Sequence, residues 1–201
     1  MDYLALSLFA ISSSITPGPN NMMMLASGVN HGFRRSVPHL LGISLGFCFM
    51  IVAVGLGLAA VFTQFPILHT VLKVAGTLYM LWLAYKIATS TCSIEGKNGT
   101  PMTFLQACAF QWVNPKAWMM ALGALATYPV AGAAYLPQVL LVTAVFGIFN
   151  GPCVAVWLGL GTGLKRYLDQ PAYLKAFNYL MAALLVASLY PIAFELKAWL
   201  S

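Results

Sequence analysis

The chain has 201 residues, 61% of them hydrophobic and 7% charged, against roughly 25% charged in an ordinary soluble domain, and that composition excludes a water-soluble globule. Its formal net charge of +6 comes from basic residues that sit at the ends of apolar segments and form no run, a pattern that speaks for membrane topology and against nucleic acid as a partner. Cys48, Cys92, Cys108 and Cys153 show no CxxC and no metal-type spacing with histidine; they read as small apolar residues, with no metal and no cofactor expected.

Apolar stretches close to the roughly 20 residues that cross a bilayer predict an all-α membrane protein, a single domain over 1–201. Six transmembrane helices are expected at about 3–26, 37–62, 71–89, 103–127, 137–161 and 173–195. Met1 to Ser14 imitates a signal peptide, but no Lys or Arg precedes the apolar run and hydrophobic sequence resumes at Met22, so it is the first membrane helix. Breaks fall at His31-Gly32-Phe33-Arg34-Arg35, Gln64-Phe65-Pro66, Ser90 to Pro101, Tyr128-Pro129 and Lys165 to Pro171. With the N-terminus outside, the inner loops hold Arg34, Arg35, Lys86, Lys97, Lys165, Arg166 and Lys175, leaving only Lys73 and Lys197 outside. Positively charged loops stay in the cytoplasm, so both termini are expected in the periplasm of a bacterial host.

The halves 1–90 and 103–201 look related. Pro19-x-x-x-Met23-Met24 recurs as Pro115-x-x-x-Met119-Met120, Gly42-Ile43-x-x-Gly46-x-Cys48 as Gly147-Ile148-x-x-Gly151-x-Cys153, and Leu72-Lys73 as Leu174-Lys175. A repeat of three helices must insert its second copy upside down, the inverted-repeat plan of secondary transporters.

Helix 1 carries Thr16-Pro17-Gly18-Pro19-Asn20-Asn21. Pro17 and Pro19 lack an N–H, which frees the carbonyls of Ser13 and Ile15, and Gly18 permits unwinding. Irregular backbone at membrane depth survives where protein or a watery cavity satisfies it. Asn20 and Asn21 are placed like capping residues of a new half-helix whose N–H groups attract a carboxylate, while the freed carbonyls accept from an ammonium. A zwitterionic amino acid presents both charges; the plainer alternative is a packing kink. Helix 4 repeats the device in Gln111-Trp112-Val113-Asn114-Pro115-Lys116, freeing the carbonyl of Gln111. Gln111, Asn114 and Trp118 share a face and Lys116 points elsewhere unless the proline rotates it. A lysine near mid-bilayer is a functional candidate by default. Asn150-Gly151-Pro152 makes a third expected break, in helix 5, that also lines the cavity. Gly42-x-x-x-Gly46 and Gly147-x-x-x-Gly151 read as close helix contacts, and Tyr79, Trp82 and Lys86 as an interfacial anchor. No carboxylate falls inside a predicted membrane helix, since Asp2, Glu95, Asp169 and Glu195 lie in loops or at helix ends; that leaves Lys116 and His39 as candidates for coupling to protons.

These residues resemble the LysE/RhtB family of bacterial amino-acid exporters. The likeness is carried by Thr16 to Asn21, His31-Gly32-Phe33-Arg34, Gly42-Ile43-Ser44-Leu45-Gly46, Lys73-x-x-Gly76-x-x-Tyr79-x-x-Trp82-Leu83-Ala84 and Gln111-x-x-Asn114-Pro115-Lys116. Pro19-Asn20-Asn21, Ile43 to Phe47 and Trp82 to Ser90 look most like its cysteine and O-acetylserine exporter branch. The resemblance implies a dimeric six-helix protein of the inner membrane that expels amino acids or close derivatives using the proton gradient. Some relatives carry an acidic residue in helix 5 near the position held here by Asn150. The nearest alternative, a metal or inorganic-ion exporter, needs clustered soft or acidic ligands. A membrane-embedded enzyme needs a nucleophile beside a base or a metal motif, and no such partner for Ser12 to Ser14 is in view.

Overall fold

The structure is a computed structural model that describes residues 1–58, 64–89, 100–168 and 170–190. Cys92, Glu95, Lys97, Asp169, Glu195 and Lys197 lie outside the described residues. Within them the chain is all helical: α1 (Tyr3–Ile15), α2 (Pro19–His31), α3 (Phe33–Ala53) with a π-helical continuation Val54–Leu58, α4 (Pro66–Ala88), α5 (Phe104–Gln111), α6 (Pro115–Thr127), α7 (Tyr135–Leu164) with a 3-10 turn Lys165–Tyr167, and α8 (Pro171–Ala187).

Local chemistry sets these starts. Pro19, Pro66, Pro115 and Pro171 open α2, α4, α6 and α8, where a missing N–H costs no helical bond. The Asp2 carboxylate caps α1 by accepting from the Ala5 N–H at 3.0 Å, and Thr103 and Gln106 form a capping box on α5. Gly32, at φ 78°, turns the chain between α2 and α3 without a loop, so α3 starts at Phe33 rather than near 37.

The third expected break is absent. α7 runs from Tyr135 to Leu164 straight through Pro152. A proline deletes one helical bond but need not end a helix whose neighbours hold it in place, and α7 is the element on which α1, α2 and α3 all pack. Among the described residues, two helical stretches are long and apolar enough to cross a bilayer: Phe33–Leu58, of 26 residues and mean hydropathy 2.3, and Tyr135–Tyr167, of 33 residues and 2.1.

The tightest helix approaches use glycine. A Cβ added at Gly28 of α2 would lie 2.6 Å from the Leu158 carbonyl oxygen on α7, and one at Gly46 of α3 would lie 2.6 Å from the Cys108 Cα on α5. Gly147 and Gly151, by contrast, meet Cys48 and Ser44 at an ordinary 3.5 Å, so the second glycine pair is a normal packing face and the close approach on α7 is made by Gly161. Phe47 and Phe146 stack edge to face at 5.3 Å where α3 crosses α7, and α4 packs on α8 through a cluster containing Met80, Leu83 and Leu185.

Candidate functional site

Between α1 and α2 the chain leaves helical geometry at Thr16, Pro17 and Gly18, and side chains take up the stranded carbonyls. The Thr16 hydroxyl donates to the Ser13 carbonyl at 2.9 Å. Asn21 Nδ2 donates to the carbonyls of Ser14 and Thr16, both at 2.8 Å. Trp157 Nε1, from α7, donates to the Ile15 carbonyl at 3.0 Å. Lys116 Nζ, from α6, donates to the Thr16 carbonyl at 2.6 Å, the Thr16 hydroxyl at 2.9 Å and the Pro17 carbonyl at 3.3 Å. The carbonyls expected to be freed, of Ser13 and Ile15, are thus answered by Thr16 and Trp157, and the ammonium at this break, that of Lys116, rests instead on Thr16 and Pro17.

Two expectations change at this break. Asn20 and Asn21 do not cap α2: its N-cap is Gly18, with no side-chain cap bond. Asn21 turns back as a donor, and Asn20 forms a reciprocal amide pair with Gln111, at 2.9 Å from Asn20 Nδ2 to Gln111 Oε1 and 3.2 Å in return. Gly18 is extended, and a Cβ there would sit 2.6 Å from Lys116 Cδ, so a larger residue would displace the lysine stem.

The second break, Trp112 to Asn114, closes differently. The Trp112, Val113 and Asn114 N–H groups each donate to the carbonyl three residues back, so the Gln111 carbonyl, expected to be free, accepts from Asn114 at 3.3 Å. Asn114 caps α6, its Oδ1 accepting from the Lys116 N–H at 3.1 Å, and Trp118 Nε1 donates to the Trp112 carbonyl at 2.8 Å. Capping fixes the first turn of α6, and Lys116 leaves that turn towards the first break.

Ser13, Ser14, Gly18, Asn20, Asn21, Asn114, Lys116 and Asn150 line one pocket of about 20 Å³. Thr16 and Pro17 meet it through Lys116, Pro19 is buried at the start of α2, Pro115 opens α6, and Gln111 is fully buried behind Asn20. Asn150 Nδ2 donates to Ser14 Oγ at 3.1 Å, while the buried Asn150 Oδ1 has no partner among the described residues. Sequence alone missed Trp157; its spacing of seven from Asn150, two turns along one face, was the available signal.

His39 is elsewhere. It lines a second cavity of about 360 Å³ between α2, α3, α4 and α5, together with His31, Tyr79, Trp82 and Lys86. His39 is 2% exposed, and neither ring nitrogen has a partner among the described residues, an arrangement that costs about 1–3 kcal/mol per orphaned group. Tyr79 stacks on Trp82 at 5.5 Å between centroids and Lys86 Nζ lies 5.1 Å from the Trp82 ring, so these side chains form a cavity wall. At the turn between α2 and α3, burial pushes the His31 imidazole below its usual range, helped by the positive charges of Arg35 and Lys165.

Residues 11–188 match the sequence profile of the family described as LysE type translocator. The chain belongs to the LysE family. It is 34% identical over 182 residues to the cysteine/O-acetylserine efflux protein of Escherichia coli strain K12, covering 89% of this chain and 90% of that protein. The same identity and coverage relate it to the cysteine/O-acetylserine efflux protein of Shigella flexneri. No solved structure matches the chain. Membership of a translocator family fits the apolar helices of this chain, which suit a membrane transporter.

Proposed function

We propose that the protein exports small amino acids or close derivatives, with cysteine and O-acetylserine the first to test, across a bacterial inner membrane in exchange for protons. One observation carries the substrate chemistry: the Lys116 ammonium rests on the Thr16 hydroxyl and the Thr16 and Pro17 carbonyls. Such a cradle accepts any ammonium of the right reach. A substrate α-ammonium that takes it over displaces Lys116, which then faces the substrate carboxylate, while Asn150 Oδ1 offers one more acceptor. Only the protonated amine fills the cradle, so substrate and proton compete for it. Lys116 that leaves by giving its proton to the cytoplasmic side and returns after taking one from the periplasmic side gives antiport, and the pocket lining holds no carboxylate among the described residues.

On this reading α1 with α2, and α5 with α6, each make one span, giving six spans in two inverted repeats of a single domain. Paired packing supports it: α1 lies on α7 as α5 lies on α3, while α3 meets α7 and α4 meets α8. Arg35 and Lys165 both act on His31, which supports one basic, cytoplasmic end and periplasmic termini. The homodimer rests on family resemblance.

The test is uptake of radiolabelled O-acetylserine, cysteine and other neutral amino acids into inverted vesicles with an acid interior. Gradient-dependent accumulation above vesicles lacking the protein is expected. Failure of the whole panel would remove the export reading. A reporter fused at Ser201 that is active only in the cytoplasm would reverse the topology.

A further inference from the structure

Beside the break pocket stands a larger cavity. At about 20 Å³ the break pocket holds about one water molecule and no amino acid. The second cavity, about 360 Å³, falls within the range of roughly 300–1,000 Å³ seen for small-ligand pockets. The two share α2: Asn20 lines the first and Met23, one turn on, lines the second. At its other end the cavity reaches His31 and Lys86, the basic end of the bundle.

Most polar side chains on its wall are committed. Ser27 pairs with Ser36 at 2.7 Å, Asn30 with Asn178 at 2.9 and 3.2 Å, and Gln106 with the Thr103 N–H at 3.0 Å. His39 differs, being 2% exposed with both ring nitrogens unpartnered among the described residues. A neutral imidazole offers one donor and one acceptor, and His39 lines this wall with neither ring nitrogen bonded to a described residue. Lys86 supplies a cation at the same wall, and the Tyr79–Trp82 stack supplies an aromatic surface.

We propose that this cavity is a loading site, separate from the helix-break pocket, where an amino-acid zwitterion entering from the basic end binds before transfer. Its carboxylate pairs with the Lys86 ammonium, and its ammonium donates to the free nitrogen of His39. The aromatic stack covers the side chain. The assignment rests on the export reading, and its test separates the two.

Full-length protein in nanodiscs is titrated with radiolabelled O-acetyl-L-serine. His39→Leu and Lys86→Gln should each weaken binding about tenfold, the scale of one lost charge-assisted hydrogen bond. Lys86 is exposed, so Lys86→Gln serves even if the buried substitution disturbs folding. Lys116→Met should keep binding at the loading site while losing transport. In inverted vesicles both loading-site variants should raise KM about tenfold and keep the maximal rate within about twofold. Unchanged affinity in both variants, or loss of all binding in Lys116→Met, would overturn the loading site. Binding that depends on His39 in a protein exporting none of the panel would overturn the export reading alone.

Discussion

The two proline breaks use the same trick of sequence and are stabilised in opposite ways. At Trp112 to Asn114 the chain closes its own break, through backbone bonds to carbonyls three residues back and an asparagine cap. At Thr16 to Gly18 the carbonyls depend on donors from other elements as well: Asn21 of α2, Trp157 of α7 and Lys116 of α6. A self-sealed break is a fixed joint. A break held by borrowed donors can exchange one of them for a ligand, and Lys116, a single cation on a flexible stem, is the donor best suited to leave.

The largest effect should come from removing that donor. Lys116→Met should abolish the dependence of export on an imposed pH gradient and cut transport about 10- to 100-fold, the equivalent of a charged hydrogen bond worth roughly 1.5–3 kcal/mol. Lys116→Arg keeps a cation that hardly titrates and should fail to couple. Gradient-driven transport in the methionine variant would make the first break as structural as the second. Next comes Gly18→Ala, whose Cβ would press on Lys116 Cδ and dislodge it. Transport should fall severalfold in the wild-type background and not at all further in Lys116→Met, an interaction that a double-mutant cycle measures.

Stability offers a second way to separate the breaks. Trp157→Phe leaves the Ile15 carbonyl without its donor and should cost about 1–3 kcal/mol, read as a lower midpoint in detergent unfolding. Asn114→Ala removes only a cap, about 1 kcal/mol. If Asn114→Ala proved the more damaging, the second break would not be self-sealed. The smallest effect concerns His31, whose folded pKa is lowered chiefly by burial and then by Arg35 and Lys165. The unfolded chain then binds the proton more readily, so His31 contributes stability above its unfolded pKa near 6.5 that is lost as pH falls through the folded value. Midpoints measured between pH 7 and pH 5 should fall less in His31→Gln than in wild type, to the extent of that one group.

Much of the site was legible because proline acts locally. Pro17, Pro19 and Pro115 each remove a backbone donor, and the helix boundaries at Ile15, Pro19, Gln111 and Pro115 follow from that chemistry. Pro152 shows the limit of the rule, since the same local loss did not end α7 once three helices packed on it. Lys116 shows another: its heptad position set it apart from Gln111 and Asn114, and only the turn made at Val113 and Asn114 aims it at Thr16. The His39 cavity was not legible as a cavity, because its walls come from four successive helices that enclose a space only once they pack together.

By itself the sequence determined the solvent, since 61% hydrophobic and 7% charged residues leave too little polar surface for water. It determined too where the helices can be interrupted, because a missing N–H is a property of one residue. Tertiary structure alone decided which partner answers each stranded carbonyl, whether Pro152 breaks its helix, and that His39 stays unpaired. Those outcomes depend on which side chains from remote segments arrive within hydrogen-bonding distance, and packing fixes that arrival where local pattern does not.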